Sequence, residues 1–525
     1  MKTPLRLEDL TTEQKIGQLL TARRLQAPED LAFAIELAKN HALGAIQVPL
    51  TKESMVVFGD PVKAAADYPI LVGCDMEKGN PMGSLLIAGN LALGAMNDPE
   101  YVYRFAKVTA MEAKAAGYNM IWSPVVDNAD HDRPCSIARS FGSDPQKIAA
   151  LSVAYMKAFA ECGLIGTAKH YPSADDSPFD THMAEGFTYR TKEELLSHNL
   201  VPYLEMIKEL GNDMMGIMSG HTKCLQVDPD YPASLSKPCI DIIREAGFDG
   251  LIVTDSLAMM GVVQKFGNFL PMALAIKAGN DLLLPHYHLP LKDAYEYLLK
   301  AYKEGAFSEE RLNDAVRHVL NAQARTMKMP EGTVTDEDRA CFEKINRDCI
   351  CAQCDPGVSP VLDKNKKHLF VVLRENPSLD PDNGQINEIS LSGWWHPEAV
   401  AEHLKKDFPN SEVRLLCEFP TYIENERVSR LAAQSDDVIF ITFCEGRCYQ
   451  GTDGLTERMR MLIATMQKEI AAIVHFGNPY AMQSVVHVPC MIFGFPSELC
   501  VDNGLDVLSG KVEPLGHLPI DVKLQ

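Results

Sequence analysis

Through its first 330 positions the chain alternates short apolar runs with longer stretches of helical period. The runs are Gly44-Ala45-Ile46-Gln47-Val48, Ile70-Leu71-Val72-Gly73-Cys74, Met120-Ile121-Trp122, Gly166-Thr167-Ala168, Met215-Gly216-Ile217-Met218, Leu251-Ile252-Val253 and Asp281-Leu282-Leu283-Leu284. Most are continuously apolar rather than alternating, the pattern of strands buried on both faces of a parallel sheet. Between them, Glu100 to Ala116 and Gln146 to Cys162 carry helical period. Repeated strand–helix units of this length predict an α/β fold with a (β/α)8-like TIM barrel over residues 1–330. The pattern then breaks. Pro330-Glu331-Gly332 and Asp355-Pro356-Gly357 flank a helical piece, which predicts a linker over 331–365. From His368 a second set of strands begins, at His368 to Leu373, Val438 to Thr442 and Ala472 to Phe476, alternating with helices such as Arg458 to Ile470. This predicts an α/β/α sandwich over 366–525.

The chain's 525 residues exceed one ordinary core, in keeping with two domains. A formal net charge of −21 repels phosphate backbones and anionic lipid, so neither nucleic acid nor a membrane surface is expected as a partner. No apolar signal core follows Met1-Lys2-Thr3-Pro4-Leu5 and no segment is apolar enough to span a bilayer, so a cytoplasmic location is expected, with the 14 scattered cysteines as free thiols. The glycine-rich dinucleotide fingerprint is missing from the turns of the second part, which gives no support to a nucleotide cofactor. Cys349, Cys351 and Cys354 lack a fourth ligand at suitable spacing and fall in a helical pattern, so core packing is expected there and no metal.

Candidate chemistry lies at the ends of the apolar runs: Asp75, Asp127, Lys169-His170, His221, Asp255 and His286. In a parallel barrel, active-site groups sit at the carboxyl ends of the strands. One segment is especially dense. Lys169-His170-Tyr171-Pro172 is followed by Asp176 and then Asp180-Thr181-His182, a cation, an aromatic ring and an Asp-x-His pair in one short stretch. An imidazole from that segment and the Asp255 carboxylate, facing one substrate, supply a proton donor and a nucleophile. That is the minimum equipment for cleaving a glycosidic bond through a covalent intermediate.

These residues resemble glycoside hydrolase family 3, and more narrowly its β-N-acetylhexosaminidase branch. Thr12 to Leu20 resembles the family's opening helix and Asp75-Met76-Glu77 its sugar-binding Asp-x-Glu. Trp122 to Asp127, Arg139 to Pro145, Pro232 to Ser236 and Gly247 to Gly250 follow in the family order, and Phe476 to Tyr480 and Gly516 to Pro519 resemble its C-terminal sandwich. Each piece is weak, but their order along almost the full length is highly specific. In the acid/base loop Lys169, His170, Pro172, Asp176, Asp180 and His182 match, while Ser173-Ala174-Asp175 replaces the family's Gly-His-Gly. Two glycines and their backbone freedom are lost there. Glu77-Lys78-Gly79-Asn80 also departs from the branch's usual Glu-Gly-Gly-Arg, which allows a different sugar or aglycone.

The resemblance implies Asp255 as nucleophile and His182 as general acid/base with Asp180 orienting it. It also implies Asp75, Arg139, Lys169 and His170 as groups holding sugar hydroxyls. An imidazole with a reference pKa of about 6.5 serves both half-reactions near neutrality. The implied activity is retaining exo-hydrolysis of terminal β-N-acetylglucosaminides, a carbohydrate substrate with no metal or organic cofactor. Rivals remain. A β-glucosidase-type relative would take a glutamate of the second domain as acid/base, with Glu445 the candidate. A phosphorylase would use the same dyad, because an imidazole does not repel phosphate as a carboxylate would. A catalytically inactive sugar-binding protein is motivated by the Ser173-Ala174-Asp175 replacement. His286-Tyr287-His288 either lines the substrate rim or serves as ordinary loop, and Trp394-Trp395 either stacks on a sugar or packs as a buried pair.

Overall fold

The computed structural model describes residues 2–83, 86–130, 137–173, 179–214, 216–374, 378–379, 386–387, 395–444 and 454–524. The chain divides into two compact units. The first holds Met1–Leu85, Pro99–Asn128 and Asp144–Cys341, and the second Leu86–Asp98, Ala129–Ser143 and Phe342–Gln525.

In the first unit the apolar runs form parallel strands. They are β1 (Thr21–Ala22), β2 (Ala45–Gln47), β3 (Leu71–Cys74), β4 (Met120–Ile121), β5 (Ile165–Gly166) and β6 (Ala168–Tyr171). After them come β7 (Phe187–Thr188), β8 (Gly216–Ser219), β9 (Lys223–Cys224) and β10 (Leu251–Thr254). β1 to β5 pair in chain order as one parallel sheet; β10, β8 and β6 form a second, and β7 pairs with β9. Single parallel bridges add Leu20 to Leu283, Val253 to Leu282 and Val125 to Lys169. The interior between the strands is filled by Ala45, Leu71, Met120, Trp122, Ile165, Met218, Leu251, Val253, Leu282 and Leu284. All four residues of β10 are buried, which explains why that run has no polar face.

Local sequence sets the strand that leads to Asp255. Ser236 caps the helix Lys237–Glu245 by accepting from the Cys239 N–H, and a proline occupies its first turn. Gly247 then turns the chain at φ 97°, a left-handed conformation in which glycine carries no Cβ penalty. The amino end of β10 is fixed from below by Asp281, whose Oδ2 accepts from Ile252 N at 2.8 Å and from Arg244 at 2.7 Å. Asp281 also pairs with Arg311 and His318. Its carboxylate is fully buried, yet the Arg244 and Arg311 guanidiniums and the His318 ring outweigh the burial and hold it well below the usual carboxylate range.

The second unit carries a six-stranded sheet. Its strands are β11 (Cys351–Cys354), β12 (His368–Arg374), β15 (Glu412–Cys417), β16 (Asp437–Cys444), β17 (Ile470–Gly477) and β18 (Cys490–Gly494), in the order β11-β18-β17-β16-β12-β15. Only β11 runs antiparallel within it. A separate antiparallel pair joins β13 (Ser378–Leu379) to β14 (Ile386–Asn387).

Three expectations change. Cys351 to Cys354 form an edge strand, not a helix, because the helix Asp336–Asp348 ends before them and β18 offers an unpaired edge. Cys354 and Cys490 face each other across that pairing with Cα atoms 4.0 Å apart and are joined as a disulfide, so the thiols are not all free. The helix expected from Arg458 to Ile470 spans Glu457–Thr465, and Ile470 already begins β17. Among the described residues no helix is long and apolar enough to cross a membrane.

Candidate active site

Within the first unit, polar side chains converge at or just beyond the carboxyl ends of β3, β4, β6, β8 and β10. Lys169, on β6, is buried, and its Nζ lies 2.7 Å from both Asp75 Oδ1 and Glu77 Oε1. The next residue, His170, donates its backbone N–H to Asp127 Oδ1 at 2.9 Å and meets Asp127 Oδ2 through Nδ1 at 2.7 Å. Its other ring nitrogen, Nε2, lies 3.8 Å from Asp255 Oδ2. Successive residues of one strand thus reach the loop after β3 and the loops after β4 and β10.

Asp255 immediately follows β10, and its backbone N–H is bonded to Ser219 O at 2.9 Å. Burial alone would raise its pKa. The imidazoles of His170, His221 and His182, with the Ser256 N–H donating to Oδ1 at 2.6 Å, outweigh that and hold the carboxyl well below the usual range. Asp255 is therefore a carboxylate throughout the neutral range.

His182 stands on the turn beyond β6. Asp180 Oδ1 accepts from both the His182 backbone N–H, at 2.9 Å, and Nδ1, at 2.7 Å. The double contact fixes the ring and puts a proton on Nδ1, so a proton exchanged with a ligand passes through Nε2. Asp180 is buried and His182 half-buried. The His182 backbone carbonyl accepts from Met260 N at 3.1 Å, five residues after Asp255.

Two neighbours complete the centre: His221, a candidate at the end of an apolar run to which no role was given, and Arg23, which the sequence pattern does not single out. His221 is buried; its Nε2 meets Ser256 O at 2.9 Å and its Nδ1 meets Ser234 Oγ at 2.8 Å. The carbonyl requires a proton on Nε2, so His221 donates to Ser256 O, and burial lowers the ring's pKa. Arg23, just beyond β1, donates to Ser256 Oγ, Pro285 O and Gln47 Oε1 at 2.7–2.8 Å and lies over the Tyr287 ring.

The first residue of the Ser173-Ala174-Asp175 departure has a structural explanation. Ser173 adopts φ 64°, a left-handed conformation that costs a non-glycine residue roughly 1 kcal/mol or more. Its hydroxyl donates to Val126 O and accepts from Asn128 N, both at 3.0 Å, and Asn199 binds its carbonyl. Ala174, Asp175, Asp176, Trp394 and Glu445 lie outside the described residues. Arg139 ends a short turn in the second unit and is half-buried there. His286 stacks on Tyr287, and Tyr287 meets His288 at an interplanar angle of 59°, all in the first unit.

The family model for the glycosyl hydrolase family 3 N terminal domain matches residues 11–322. The chain belongs to that family and is a glycoside hydrolase. Over 98% of its length it is 25% identical to a β-N-acetylglucosaminidase/β-glucosidase of Cellulomonas fimi, of which it covers 94%. In structure, 98% of the chain matches 100% of a family 3 β-N-acetylglucosaminidase from Paenibacillus sp., with a TM-score of 0.79 and 24% identity. The same share matches 94% of a β-glucoside phosphorylase, with a TM-score of 0.80 and 21% identity. These structural likenesses establish a shared two-domain fold.

Proposed function

We propose that this chain is a retaining exo-glycosidase that removes terminal β-N-acetylglucosamine. The Asp255 carboxylate attacks the anomeric carbon as the bond to the leaving oxygen breaks, and His182 Nε2 gives that oxygen its proton. In the second half-reaction His182 takes a proton from water, whose oxygen displaces Asp255 from the sugar. Asp180 keeps the ring in its Nδ1–H tautomer and stabilises the imidazolium. Lys169, His170 and Asp75 hold sugar hydroxyls, and no metal or cofactor takes part.

The observation that carries the reading is the pairing of a buried carboxylate kept ionised by imidazoles with a second carboxylate that grips His182 at two points. The choice of N-acetylglucosamine rests on the sequence resemblance, since the Cellulomonas fimi relative is named for both the N-acetylglucosaminidase and the glucosidase activity. The same reading closes the parallel segments of the first unit into a barrel. In its favour, the segment 282–284 bridges to both β10 and Leu20, beside β1. The imidazole in place of a carboxylate also favours a second reading, a phosphorylase in which phosphate replaces water, since a neutral or cationic donor does not repel an anionic acceptor.

A panel of aryl β-glycosides, assayed with and without phosphate, tests both readings. Hydrolysis of the N-acetylglucosaminide with a phosphate-independent rate, lost by at least about 10³-fold in Asp255→Ala, is expected. Release of sugar 1-phosphate would move the assignment to the phosphorylase. No turnover of any glycoside would leave a sugar-binding protein.

A further inference from the structure

We infer that Gly261 is a positioning residue for the acid/base His182, acting through the backbone of the turn that carries it. The inference rests on the hydrolase reading above, with His182 as proton donor.

The turn is a braced unit. Met183 N and Ala184 N both donate to Asp180 O at 2.9 Å, and the Asp180 carboxylate holds His182 from inside. On its far side the chain is pinned by β7 pairing with β9, by Lys223 N donating to Gly186 O at 2.9 Å, and by the Lys223–Glu185 ion pair. The height of the turn is set by a different neighbour, the start of the helix Met260–Phe266. Met260 N donates to His182 O at 3.1 Å and Gly261 N to Thr181 O at 3.2 Å. That helix begins five residues after Asp255 on one continuous backbone, which is itself fixed by Leu257 N to Leu284 O at 3.0 Å and Met259 N to Ser256 O at 3.1 Å. Nucleophile and proton donor are therefore hung from the same short segment.

Gly261 is where the two come closest. A Cβ there would lie 2.7 Å from Ala184 O and 3.0 Å from Thr181 O, and both are backbone atoms that cannot rotate away. Its φ is not in the left-handed region, so nothing in its own conformation demands glycine. Helix propensity alone would favour alanine, by about 1 kcal/mol. What alanine cannot do is let the turn sit this low. Restoring ordinary contact lifts the turn by roughly half an ångström or more, and His182 rides on it. Positioned proton transfer is worth about 10² to 10⁴-fold, and misplacements of this order forfeit a large share of it.

Gly261→Ala is tested by leaving-group dependence, read as kcat/KM so that only glycosylation is reported. A phenyl β-glycoside needs its oxygen protonated as the bond breaks; a 2,4-dinitrophenyl β-glycoside does not. The expected result is a loss of about 10- to 100-fold on the phenyl substrate, about threefold or less on the dinitrophenyl substrate, and a modest fall in thermal stability, because backbone must yield to the new Cβ. Met260→Pro is the second variant, and it keeps the test decisive if Gly261→Ala does not fold. It deletes the N–H given to His182 O at the first helical position, where proline is tolerated, and the preceding Met259 already has φ −67° and ψ 138°, as a residue before proline prefers. The same selective loss is expected. Equal losses on both substrates, or none, would overturn the inference. Wild type that cleaves neither glycoside would instead overturn the hydrolase reading beneath it.

Discussion

Asp255 shows why the residues at the centre work as a set. Buried alone, a carboxyl group would shed its charge; three imidazoles and a backbone N–H reverse that outcome. Asp180 does the complementary task for His182, since a carboxylate 2.7 Å from Nδ1 favours the imidazolium. In the proposed mechanism the high-pH limb of the kcat/KM profile reports the loss of the His182 proton. Asp180→Asn removes the charge and keeps the shape, so the limb should move to lower pH by about one unit or more, with a fall in rate of about 10²-fold or more on a phenyl glycoside. A limb that stays in place would mean that another group donates. Much of this centre was legible in the sequence, because Asp180 and His182 are two positions apart and Lys169 and His170 are adjacent. The grips on Ser256 were not. Arg23 and His221 reach it from 233 and 35 positions away, and no local pattern encodes such a meeting.

At the level of elements, the strands were legible wherever burial on both faces made them continuously apolar, as in Leu251–Thr254. The edge strand Cys351–Cys354 was not, since only part of it is buried and its spacing fits a helix as well. The pairing of β16 with β17 has a consequence for stability. His475 lies opposite Thr442, accepts from its hydroxyl through Nδ1 at 2.9 Å and donates through Nε2 to Asn478 O at 2.8 Å. This arrangement requires the neutral ring, and burial pushes its pKa down to about 4. In the unfolded chain histidine titrates near 6.5. Between those values the unfolded state binds the extra proton, so stability falls as pH drops from about 6.5 to about 4 and is unaffected by this group above that window. The loss is on the order of 3 kcal/mol at the bottom of the window. His368, raised by Asp437 despite its burial, contributes in the opposite sense and is common to both proteins when wild type is compared with His475→Gln. Urea unfolding at pH 7 and pH 4.5 should show a smaller acid loss in the variant, and equal losses would contradict the neutral buried ring.

Across the whole molecule, the two-part organisation was legible from the change of pattern after residue 330, but the composition of the units was not. Leu86–Asp98 and Ala129–Ser143 belong to the second unit although they fall early in the chain. Segment membership of that kind is decided by packing: Gly94 and Gly142 allow the backbones of Phe141 and Pro519 to approach where a Cβ would not fit. In the proposed mechanism one carboxylate of the first unit forms and releases a bond to the sugar. A fluorinated N-acetylglucosaminyl compound with a good leaving group traps that bond, and peptide mapping locates it. The account predicts a single label on Asp255, absent from Asp255→Ala and formed at an undiminished rate in Gly261→Ala. A label on any other residue, or an active enzyme that takes no label, would contradict it.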